Sequence, residues 1–356
     1  ATGTTVADAD RVVMNDNGTM VQVAVTDLAA YFDDEITAMP NLITTAATTV
    51  GALDSGSITS GFGTINNGSS TITTTGALAA GAVTGTSFNG IPFYSADTSS
   101  IYTTDVSGTD DTAQENTAYG YQAMDAITTG DSNSAFGHDA LGANTTGANN
   151  TAVGKSAMLV NTTGAENVAL GFAALDANTT GNQNVALGRS ALTANTTASD
   201  NIAVGYGAMD ANTTGTRNIA IGSAAYDASD TENDNIAIGY QAMTTNTAGG
   251  TKNVAIGNYA LDLLTSGDTN VAVGYDALTS HTTGSNNVAV GERALAASTT
   301  GAQNTSVGMN ALYANTTGTD NTGIGQGALQ GNTTASNNTA VGKASLSVNT
   351  TGAENV

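Results

Sequence analysis

From Asn116 to the end of the chain, small, apolar and polar positions return in one order, typified by "NVALGFAALDANTTGNQ" at residues 167–183. Each unit starts with Asn, and the starts are 17 residues apart except for 18 between Asn235 and Asn253. Fourteen complete units run from Asn116 to Glu354. So short a fixed period over so long a stretch is the signature of a solenoid with one coil per unit.

Numbering the unit from its Asn, position 1 is always Asn, position 5 always Gly, and position 4 always apolar. Position 3 is Ala in 12 of 14 units, position 8 is Ala in 13, and position 9 is Leu, Met or, once, Tyr226. Positions 12 to 15 read Asn-Thr-Thr-Gly or a near relative. Seventeen residues bounded by these turn residues leave room for two short strands, at positions 2 to 4 and about 7 to 10, and not for a pair of helices. Positions 2 and 4 share one face of the first strand and the small residue at 3 lies on the other, so the strand is expected to be covered on both sides. Gly171, at position 5, implies either a positive φ or a neighbouring backbone too close for a Cβ. Asn167, at position 1, fits a stacked amide ladder or a turn in the left-handed region. Leu170 and Leu175 are the expected core pair of that coil. Each coil brings only about two large apolar side chains, worth about 1.5–3 kcal/mol each when buried, against a backbone ordering cost of about 1–2 kcal/mol per residue. That imbalance predicts burial against identical copies in a parallel homotrimer, with position 4 or position 9 near its axis. At about 4.8 Å per coil the stack is a rod roughly 65 Å long.

The first 115 residues follow other patterns. "DRVVMNDNGTMVQVAV" (10–25) alternates apolar and polar residues around Asn-Asp-Asn-Gly and predicts a β-hairpin. "TDLAAYFDDEI" (26–36), with Thr26 and Asp27 as caps, predicts one short helix before Pro40. Residues 1–40 are therefore expected to form a hairpin-plus-helix connector. Residues 41–115, rich in Gly, Thr and Ser with isolated apolar residues, are expected to be an interwound β shaft, and 116–356 the solenoid.

Composition narrows function. The chain has 43 Gly, no Cys, no Trp and a net charge of −23. It lacks the basic stripe that nucleic acid requires, and no apolar run nears the roughly 20 residues of a membrane span. Neither nucleic-acid binding nor membrane insertion is expected. His138 and His281 are the only histidines and both sit at variable repeat positions, which leaves little material for a histidine-based triad or metal site, so no enzyme activity and no cofactor are expected. The acids Asp105, Asp110, Asp111 and Glu115, and Asp230, Glu232 and Asp234, match no calcium-loop spacing and read as solvated loops. The "NTT" sequons, such as Asn144 and Asn161, read as turns, because glycans on adjacent coils would crowd one another.

Positions 6, 10, 16 and 17 vary freely, and Tyr121, Phe172, Tyr206, Tyr240 and Tyr275, at position 6, are candidates for outside contact, against the plainer reading of a solvated turn that tolerates any residue.

"NVAIGNYAL" and its relatives resemble the "NSVAIG"-type head repeats of trimeric autotransporter adhesins, and the "NTTGxxNTAVGxxAL" form is more similar to repeats of bacteriophage tail-fibre-like proteins. "GSITSGFGTINNGSSTITTTG" (56–76) and residues 10–32 also look like segments that precede such repeats in phage fibres. The resemblance implies a trimeric, elongated virion fibre, in the tail or on the capsid, that spaces or presents host-attachment elements. Its partners would be itself, other virion or fibre proteins, and a host surface glycan or protein. The alternative it implies is an adhesin on the bacterial cell surface.

Overall fold

A computed structural model describes residues 11–16, 18–24, 87–88, 91–92, 100–103, 112–246 and 249–356. The chain divides into two units, Ala1–Ala80 and Gly81–Val356. In the first, β1 (Arg11–Asp16) and β2 (Thr19–Ala24) pair antiparallel with Asp16 opposite Thr19, which is the hairpin expected around Asn17-Gly18. Gly18 takes a φ of +88°, the conformation its turn position calls for. The helix expected over 26–36 and most of the expected shaft lie outside the described residues.

In the second unit, β3 (Ser87–Phe88) and β4 (Ile91–Pro92) form a small antiparallel ladder. The rest is a parallel β-solenoid of about 14 turns. Its strands, from β5 (Ile101–Tyr102) and β6 (Thr117–Tyr119) to β19 (Thr339–Val341), form one 15-stranded sheet in chain order. Register is coil for coil: Val168, Ala169 and Leu170 of β9 (Val168–Leu170) lie against Val185, Ala186 and Leu187.

Each coil holds one strand where two were expected. Positions 6 to 11 are two successive turns, closed in one coil by Ala174 N–H on the Gly171 carbonyl (3.4 Å) and Asn178 N–H on the Leu175 carbonyl (3.3 Å). Positions 7 and 9 both occupy the left-handed region, as in Ala173 (φ +52°) and Leu175 (φ +54°). Their N–H groups therefore point opposite ways along the stack. Ala173 donates back to Lys155 O (3.0 Å) and Leu175 forward to Ala191 O (2.9 Å). The Leu conformation costs about 1–2 kcal/mol, which burial of its side chain at about 1.5–3 kcal/mol together with that hydrogen bond offsets.

The core is a thin column. Ala169 at position 3, Ala174 at position 8 and Leu175 at position 9 are fully buried, as are their counterparts in most other coils. Leu170 is not part of it. The strand pleat turns positions 2 and 4 outward together, leaving Val168 and Leu170 36% and 52% exposed. The single chain thus covers its sheet on one face only. Gly171 meets both conditions offered for it: its φ is +141°, and a Cβ there would lie 2.5 Å from the Gly188 carbonyl oxygen.

Candidate functional surface

Two amide ladders form the polar spine of the coils. Asn167 is fully buried, and its Oδ1 accepts the backbone N–H (2.9 Å) and Nδ2 (3.1 Å) of Asn184 one coil on. Its own Nδ2 donates to Gly181 O (2.8 Å) at position 15 of the same coil. The second ladder is at position 12, where Asn161 Nδ2 donates to Asn144 Oδ1 (2.7 Å) and to Gly164 O (2.9 Å). The sequon amides of Asn144 and Asn161 are thus buried and hydrogen-bonded, while hydroxyls such as Thr145 Oγ1 donate to the next coil's carbonyl (Thr162 O, 3.0 Å). The NTT string is a turn.

Breaks in the second ladder carry the chain's unusual chemistry. His281 stands at position 12, in place of the usual Asn of the second ladder, and is fully buried. Its Nε2 meets Gly284 O at 2.8 Å in place of the Asn amide, and its Nδ1 lies 3.3 Å from Ser298 Oγ. Burial holds its pKa below the usual imidazole range. His138 is at position 6 instead, paired with Asp139 at 2.7 Å.

Glu232 occupies position 15, where a glycine is usual, and is only 3% exposed. Its carboxylate accepts from Ser229 Oγ (2.9 Å), Asp230 N (3.2 Å), Thr231 N (3.1 Å) and Gly249 N (3.0 Å). Asp234 pairs with Arg217 at 2.6 Å. These acids are thus engaged by donors and do not converge on a common cation site. Among the described residues no group of three or more His, Cys, Asp or Glu side chains could hold a metal ion. Asp105, Asp110 and Asp111 lie outside the described residues, and Glu115 accepts from Ser132 Oγ at 3.1 Å. A shallow hollow near Asp276, Arg293 and Tyr313 is spanned by the Asp276–Arg293 pair at 3.6 Å.

The outward chemistry lies along the corner that follows position 5. Tyr121, Phe172, Tyr206, Tyr240 and Tyr275, all at position 6, are exposed, with Tyr121 at 69% and Tyr206 at 60%. The coil rise brings successive position 6 side chains to stacking distance. The Tyr121 and His138 rings are 5.3 Å apart. The Arg189 guanidinium lies over both the Phe172 ring (5.6 Å) and the Tyr206 ring (5.7 Å). Tyr259, from position 7, stands edge-on between Tyr240 (5.5 Å) and Tyr275 (6.0 Å). The five candidates thus fall into three stacked groups along one ridge. Sequence reasoning did not include Tyr259 among them; the one available signal is a tyrosine at a position that is otherwise small or polar.

Comparison with family models, curated proteins and solved structures finds no match to this chain.

Proposed function

We propose that the chain is a structural fibre: the shaft of a parallel homotrimer on a phage-like virion, in the tail or on the capsid, that spaces or presents host-attachment elements. The observation that supports this is the outward strip of positions 2 and 4. Position 4 leaves a row of partly exposed, uncharged apolar side chains along the length of the sheet, from Tyr119 through Leu170, Ile221 and Ile256 to Val341, and position 2 adds Val or Ile in the middle coils, such as Val168 and Ile202, and Thr or Ser at both ends. A strip about 65 Å long is of the size that marks an interface on a soluble protein. Its side chains repeat with every coil, so the partner that matches it throughout is another stack of the same rise. Copies related by an axis parallel to the stack would keep that match coil for coil, and a closed ring of three buries the strip without leaving a free end. Of the two rows expected near the axis, position 9 is used inside the coil, which leaves position 4 for the interface.

The "NVAIGNYAL" and "NTTGxxNTAVGxxAL" resemblances support the viral reading, and they leave a trimeric autotransporter-like surface adhesin as the alternative. Sedimentation equilibrium tests the assembly: a species of three times the chain mass is expected, and a stable, soluble monomer overturns it. Micrographs of the source particle with antibody against the chain should label fibres on a virion; label on a bacterial envelope favours the adhesin.

A further inference from the structure

We propose that the ridge formed by Lys155, Phe172, Arg189 and Tyr206 binds a linear acidic polysaccharide, sugar ring on aromatic ring and carboxylate on cation; the inference rests on the attachment reading above. The first observation is charge. The chain carries 30 acids and 7 Lys or Arg, yet over the six coils from Tyr121 to Tyr206 position 6 reads Tyr, His, Lys, Phe, Arg, Tyr, with no acid. A basic, aromatic edge on an acidic rod selects an anionic partner locally while the remainder repels one.

The second observation is geometry. Arg189 is exposed, and its guanidinium carbon lies over both flanking rings, 5.6 Å from the Phe172 centroid and 5.7 Å from that of Tyr206. Cation–ring attraction does not consume the guanidinium's N–H donors, so they are left for bidentate contact with a carboxylate. It takes part in none of the ion pairs found among the described residues, which involve His138, Arg217 and Arg293. Lys155 adds a second exposed cation two coils before Arg189, about 9.6 Å along the stack, the length scale of a disaccharide. Beyond Tyr206 the next coil offers only Ser223, leaving room beside that ring for a sugar face. The ridge lies past the Gly171 corner and not on the strip of positions 2 and 4, so trimer formation and glycan binding use different side chains.

The test is calorimetric titration of the full chain with oligogalacturonate, its methyl-esterified neutral form and an oligo-dT strand. Oligogalacturonate is expected to bind, with affinity falling tenfold or more in Arg189→Gln and in the double variant Phe172→Ser/Tyr206→Ser, and unchanged in Arg217→Gln, an exposed arginine off the ridge. Equal binding of the neutral ester, or no effect of Arg189→Gln, overturns the proposal. Tighter binding of oligo-dT through the same residues also overturns it, assigning the ridge to a polyphosphate. Sedimentation of the same samples separates the two readings: a trimer that fails to bind overturns the ridge alone, and a monomer that binds overturns the assembly alone.

Discussion

The Oε1 atom of Glu232 accepts the backbone N–H of Gly249 at 3.0 Å, joining the only coil with a glutamate at position 15 to the only coil of 18 residues. The two departures from the repeat compensate each other. A side chain at position 15 projects onto the following coil, and that coil carries an additional residue in its turn, "NTAGG" in place of "NTTG". Tyr226, in the same coil as Glu232, reaches past the usual leucine position, and its hydroxyl accepts from Asn235 Nδ2 (2.5 Å) and Asn246 Nδ2 (3.2 Å).

Glu232→Ala is expected to strand the donors of Ser229, Asp230, Thr231 and Gly249, destabilising these coils by on the order of 2 kcal/mol or more. Because a solenoid opens locally, the measurement is native-state hydrogen exchange over residues 218–252. Unchanged protection there would show that the carboxylate does not join the two coils.

The two Asn ladders should respond unequally. Asn167 Oδ1 accepts the main-chain N–H of Asn184, whereas Asn161 Oδ1, at position 12, accepts only the side-chain amide of Asn178. The position 15 carbonyl, moreover, is served from position 1 even where position 12 is Ile127 or Leu264. Asn167→Ala is therefore expected to cost about 1–3 kcal/mol, and Asn161→Leu distinctly less, by urea unfolding. The reverse ranking would refute this account of why position 1 is Asn in every unit.

Leu175 and Leu170 should separate folding from assembly. Leu175→Ala opens a cavity in the column and is expected to destabilise the chain by about 2–5 kcal/mol. Leu170→Ser leaves hydrogen-exchange protection within a coil nearly intact and lowers the oligomer mass in sedimentation. Loss of coil protection in Leu170→Ser would place that side chain in the folding core after all.

Ala173→Gly is expected to be neutral or stabilising by up to about 1 kcal/mol, since glycine takes a φ of +52° without the Cβ penalty. Gly207 and Gly327 already stand at this position in other coils, with φ of +61° and +66°. A thermal melt settles the sign, and marked destabilisation would contradict the left-handed conformation.

Acid should loosen the coil of His281. Its folded pKa is lowered by burial, so the unfolded chain, with its imidazole near pH 6.5, binds the proton more readily. The stability of the neutral ring is therefore present above about pH 6.5 and is lost as pH falls from there toward the folded value. His281→Asn restores the common residue and should remove that component. The difference in melting temperature between the two chains at pH 7.5 and pH 5.5 measures it, cancelling the aspartates whose pKa values burial raises, such as Asp176 and Asp227.

The period, the solenoid and the hairpin around Asn17-Gly18 were legible in the sequence, and the amide ladder was one of the two readings it left for position 1, because each rests on local chemistry that the chain states outright or repeats fourteen times. The path of the coil between positions 6 and 11 was not. A turn with a left-handed residue ordinarily announces itself by Gly or Asn, and here Ala173, Ser156 and Arg293 hold that conformation because hydrogen bonds to both neighbouring coils impose it. The same limit hid the outward direction of Leu170. Apolar character says that a side chain prefers to leave water, and only the pleat, with Ala169 turned into the column, decides that its cover must come from outside the coil. Position 6 was identifiable as variable, but the pairing of Arg189 with Phe172 and Tyr206 arises from residues 17 apart brought to one edge by the rise of the stack.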